Sequence, residues 1–128
     1  MKKLVISLII LLSFYVLGFS QASNNLDSII IYKGEKAGTG TGVDIVKLGV
    51  GETITVTAKG VDVNGNEVCM APTWKSDEEI DLYFVEGKGK TIRAKLVEPP
   101  ALMCFFEVVV IKENGEKVTA QVTVQEKK

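Results

Sequence analysis

Histidine is absent from this chain of 128 residues. Its absence removes the usual proton shuttle, Ser-His-Asp and Cys-His nucleophile systems, and the commonest transition-metal ligand. The oxygen-bearing residues offer little in their place. Asp62-Val63-Asn64-Gly65-Asn66-Glu67 sets candidate oxygen ligands at alternating positions. A calcium loop needs a glycine at its sixth position and a later bidentate glutamate, so the segment reads as a turn. Asp77-Glu78-Glu79 pairs carboxylates, as acid–base chemistry would, but nothing around them signals a cleft; the run reads as a solvated connection. Gly34 to Gly42 is rich in glycine, yet it lacks the Gly-Lys-Ser/Thr and following helix of a phosphate-binding loop. It reads as a connection. Catalytic, cofactor-binding and metal-ligating residues are therefore assigned to none of these segments, and a non-enzymatic protein without cofactors is expected.

Three further side chains have a chemical reading beside a packing one. Trp74 is the single tryptophan. An exposed indole stacks on sugars, whereas a strand that turns it inward makes it the largest block of a small core; the core is expected. Cys69 and Cys104 are the two cysteines. An even count in an exported protein makes a disulfide a candidate, and two small apolar thiols are the alternative. Both readings stay open, because bridging requires Cα atoms within roughly 7 Å.

Export is itself an expectation from the N-terminus. Lys2 and Lys3 precede a nearly unbroken apolar run from Leu4 to Phe19, and Ser20-Gln21-Ala22 supplies small residues for cleavage. This is the pattern of a secretory signal peptide over residues 1–22. The run is shorter than the roughly 20 apolar residues of a comfortable membrane span. Residues 23–128 then form one domain, long enough to bury a core. Without Lys2 and Lys3, 13 Lys and Arg stand against 16 Asp and Glu. This mildly acidic balance gives no electrostatic support for nucleic-acid binding.

The domain reads as β-strands. From Thr53 to Lys59 and from Lys117 to Gln125, apolar and polar residues alternate, which gives each strand one core face and one wet face. Asn64-Gly65, Asn114-Gly115 and Gly87-Lys88-Gly89 mark turns, and Pro99-Pro100 marks a connection. The predicted strands are 28–33, 43–48, 52–61, 73–76, 80–86, 90–96, 102–112 and 117–125. Seven or eight short antiparallel strands at this spacing predict an all-β, immunoglobulin-like sandwich.

The order of these signals resembles a bacterial immunoglobulin-like domain of group 2, the invasin- and intimin-related type. The resemblance rests on Gly51-Glu52, on Asp62 with Asn64-Gly65-Asn66, on Thr73-Trp74-Lys75-Ser76, and on the closing Val122-Thr123-Val124. It spans Leu26 to Val124. It implies a domain at the cell surface or in the envelope, with a role in adhesion, binding or envelope structure, and it carries over no catalytic residues. The expected location is secreted, periplasmic or at the cell surface. Two variants of this expectation differ in what the ends and loops do. In one, the N-terminal segment is retained and the domain is a subunit of a fibre or membrane-anchored assembly. In the other, the loops inhibit a secreted enzyme. A membrane contact is expected only if the N-terminal segment is kept.

One strand breaks the alternation. If Phe106, Val108 and Val110 face the core, then Phe105, Val109 and Ile111 lie on the outer face with Glu107. A row of apolar residues on a wet face predicts a cover, either another segment of the chain or a partner. The expected partner is a protein or envelope component, or a second copy of the chain.

Overall fold

The computed structural model describes residues 24–38, 42–85 and 88–127. The predicted signal peptide lies outside them. All regular structure among the described residues is β. The strands are β1 (Ser28–Lys33), β2 (Ile45–Leu48), β3 (Thr53–Val61), β4 (Glu67–Val68), β5 (Thr73–Ser76), β6 (Ile80–Val85), β7 (Lys88–Leu96), β8 (Cys104–Ile111) and β9 (Lys117–Glu126).

Two sheets divide them. One runs β1-β3-β7-β6, with the short β4 beside the end of β3; the other runs β2-β9-β8-β5. This partition is that of an immunoglobulin-like sandwich. Two features depart from the sequence expectation. β4 is a ninth strand of two residues, paired with Gly60 and Val61. And β2 runs parallel to β9, the other ladders being antiparallel. A parallel neighbour needs a long connection rather than a hairpin, and residues 49–116, with β3 to β8 among them, separate β2 from β9.

The inner faces meet in one core. Val56, Ile92, Leu96, Phe106, Val108, Val122 and Val124 are among its fully buried members. Both Asn-Gly turns are tight hairpins of one kind. The Gly65 N–H donates to Asp62 O and the Gly115 N–H to Lys112 O. Only the glycines take positive φ, 85° and 89°, so each loop is a turn closed by a glycine bulge. Beyond Gly34 the chain turns back over the first sheet. Thr57 Oγ1 donates to Gly34 O at 2.8 Å, and Gly38 lies against the Tyr32 ring. The segment returns at Gly42, and Val43 N–H donates to Ile31 O.

Candidate interaction face

The outer face of the second sheet is built by simple alternation. Cys104, Phe106, Val108 and Val110 of β8 point inward and are at most 1% exposed. Phe105, Glu107, Val109 and Ile111 point outward. The register sets them in rows across the sheet. Phe105 lies opposite Thr123, which in turn lies opposite Ile45; Glu107 lies between Gln121 and Lys75; Val109 lies between Thr119 and Thr73.

Burial divides the three apolar residues expected on this face. Ile111 is exposed at 47%, and Phe105 is half-buried. Val109 is only 8% exposed. The row is therefore not continuous. Val109 sits mid-sheet between Thr73 and Thr119 of the neighbouring strands, with Ala71, Lys75 and Lys117 close by. The described part of the Gly34 excursion covers the other sheet instead. Ile45, at 54% exposure, completes the apolar part of the face and was missed in the sequence. Its signal was Val46 and Leu48 facing inward, which leaves Ile45 and Lys47 outward; four residues are too few for that pattern to stand out.

Phe105 is held at one end of the face. Its N–H donates to Asp77 Oδ2 at 2.9 Å, and Asp77 N–H donates to Phe105 O at 3.0 Å. Asp77 thus extends the β5–β8 ladder by one side-chain bond, which gives the first residue of the acidic run a structural task. A hollow of about 300 Å³ beside Phe105 is lined by Lys75, Ser76, Asp77, Glu107 and Gln121. A larger one, about 500 Å³, lies at the end of the sandwich between the Pro100–Leu102 loop and Lys47, Gln125 and Lys127.

The remaining candidates have plain placements. Trp74 is 6% exposed; its ring lies 6.5 Å from that of Phe106, and its Nε1–H donates to Gly89 O at 3.2 Å. It is a core residue. The candidate disulfide is not formed: both cysteines are free thiols. Cys69 is exposed after β4, beside the Gly60–Val61 end of β3, while Cys104 is buried at the start of β8 opposite Val124. The two lie toward opposite ends of the sandwich, too far apart in the fold to bridge. Burial pushes the Cys104 thiol up to about 11, with Glu79 and Asp77 adding to the shift. Asp62 Oδ1 accepts N–H bonds from Asn64 and Asn66, both at 2.9 Å, as an Asx turn does. Among the described residues no group of three or more Cys, Asp or Glu converges as a metal site would.

Comparison of the chain with protein-family models and with curated protein sequences gives no match.

Proposed function

We propose that the protein is a non-catalytic, immunoglobulin-like binding domain, secreted or held in the cell envelope, and that it binds a protein or envelope component through the outer face of the β2-β9-β8-β5 sheet. The observation that carries this reading is the apolar area on the outer side of that sheet. The outward Thr53, Thr55, Thr57 and Lys59 of β3 are polar, whereas Ile45, Phe105 and Ile111 place apolar area on the outer face of the second sheet. Covering such area recovers roughly 25 cal/mol per Å², and the half-buried Phe105 ring at one end of the face is a natural anchor.

The group 2 resemblance supports the location and the absence of chemistry, and the leader pattern of residues 1–22 supports export. Two measurements test the proposal together. Protein purified from the native envelope should begin at Ser23 by intact mass; a form that retains Met1 favours the anchored assembly instead. The double variant Phe105→Ser, Ile111→Ser should keep the wild-type melting temperature within a few degrees and lose the envelope component that wild type retains. A variant that folds and still retains it removes this face from the proposal.

A further inference from the structure

A second contact surface is written into β6, and it goes beyond the sheet face proposed above. β6 is the last strand of its sheet. Val97 N–H donates to Glu79 O, and the ladder runs on without a shift from Ile80 opposite Leu96 to Phe84 opposite Ile92. In an antiparallel ladder this alternation turns the odd-numbered residues of β6 toward β7 and the backbone groups of Ile80, Leu82 and Phe84 toward the open edge. Ile80 is already satisfied. Its N–H donates to Asp77 O at 3.1 Å, and its carbonyl accepts Ser76 Oγ–H at 2.9 Å. At the other end the register slips between Phe84 and Val85, and such an irregularity ends regular pairing. What stays open is a short window, Leu82-Tyr83-Phe84.

That window also carries exposed aromatic area. Phe84 is 70% exposed and Tyr83 47%, on opposite sides of the strand. Phe84 has the inward parity of Ile80 but overhangs the flank of the sandwich, so no strand of the facing sheet covers it. At the opposite edge of the same sheet, Ile31 O of β1 already accepts Val43 N–H.

We propose that the open edge of β6 pairs antiparallel with the same edge of a second copy of this chain, about a two-fold axis through Tyr83. The window is self-complementary in this register. Leu82 of one copy lies opposite Phe84 of the other, so both exchange their free backbone N–H and C=O groups. Phe84 packs on the second copy's Leu82 on one side of the joined sheet, and the two Tyr83 rings meet on the other. Asp81 falls opposite Val85, so no like charges oppose each other. The contact is isologous and closes at two copies. A pairing this short buries less than the roughly 1,200 Å² of a stable interface, so the dimer is weak and concentration-dependent.

Sedimentation and amide exchange on the full chain test it. In wild type, raising the concentration to the millimolar range should produce dimer and slow the exchange of the Leu82 and Phe84 amides. Tyr83→Lys and Tyr83→Glu should each remain folded, because the side chain is exposed, and each should weaken self-association by about tenfold or more, since like charges then face each other across the axis. Mixing the two variants should restore association. Wild type that stays monomeric at millimolar concentration overturns the proposal. So does unchanged dimerisation of either variant, or a mixture of folded variants that stays monomeric. Self-association lost in Phe105→Ser, Ile111→Ser but kept in Tyr83→Lys would place the contact on the other sheet and overturn it too. Failure of the β6 contact leaves the binding face of the second sheet untouched.

Discussion

Two residues, Trp74 and Cys104, define how the interior was filled. Trp74 spans the space between the sheets and keeps its polar edge at the margin, where Nε1–H meets Gly89 O. Trp74→Ala should therefore cost about 3–5 kcal/mol, from lost burial and an unfilled cavity. Trp74→Phe, which keeps a ring and loses the bond, should cost about 1 kcal/mol. As the single tryptophan, it should emit blue-shifted fluorescence in the native state and shift red on unfolding; red native emission would mean an exposed ring. Cys104 is a thiol without access to solvent. A thiol reagent should label one cysteine, Cys69, in the native protein and both in denaturant. The pH dependence follows in sign. The native Cys104 pKa, about 11, lies above the unfolded value, so the unfolded chain releases its proton first. That contribution to stability is complete below roughly pH 8.5 and is lost as pH rises through the native value. Cys104→Ala should flatten this part of an alkaline unfolding curve. An unchanged slope would mean that the native thiol titrates normally.

Among the elements, the bounds of most strands were legible. Ser28–Lys33 and Thr73–Ser76 appear with the bounds read from sequence, and β3 and β9 differ by a residue at an end. The inward parity of β8 was legible too, because Phe106, Val108 and Val110 share it with Cys104. The exposure of β8's outer face was not legible. Alternation fixes which side a residue takes, but its neighbours' side chains decide how much water reaches it, and the threonines beside Val109 come from distant strands. β6 hid its open edge for a related reason. Asp81-Leu82-Tyr83-Phe84-Val85 is apolar on both sides, so only the sheet order shows that nothing follows it. The parallel placement of β2 depends on a close approach no pattern reveals. A Cβ on Gly42 would collide with the Ile31 carbonyl oxygen and meet Ile30 Cγ2 at 2.6 Å. Backbone cannot yield there as a side chain does, so Gly42→Ala should destabilise by about 2–3 kcal/mol. Gly60→Ala meets the flexible ends of Leu26 and Met70 at 2.8 and 2.9 Å and the Val68 carbonyl oxygen only at 3.2 Å, and should cost less. Equal melting temperatures for the two variants would show that the Gly42 crossing carries no constraint.

At the scale of the whole molecule, the two ends of the described chain are fastened at opposite ends of the sandwich. Asn24 Oδ1 accepts the Asn114 N–H at the β8–β9 turn. At the other end, Lys127 N–H donates to Leu48 O, and its ammonium lies 3.3 Å from both oxygens of Glu52. Glu52 also accepts the Gly49 N–H at 2.8 Å, so one carboxylate joins the β2–β3 turn to the end of β9. These contacts, the Gly49 bond first and Lys127 second, hold the Glu52 carboxyl below the usual range. A lowered native pKa means that the unfolded chain takes up the proton first as acid is added. The stabilisation is therefore present above the unfolded value, roughly pH 4.3, and is lost as pH falls through the native one. The group is exposed, so the effect is modest and screened by salt. Glu52→Gln keeps an acceptor for Gly49 and removes the charge. It should reduce the dependence of the melting temperature on pH below about 4.3, and the difference from wild type should shrink at high salt. Lys127→Ala should reproduce only part of that change, because the Gly49 bond survives. If Lys127→Ala instead reproduces all of it, the ion pair rather than the turn fastens this end of the sandwich.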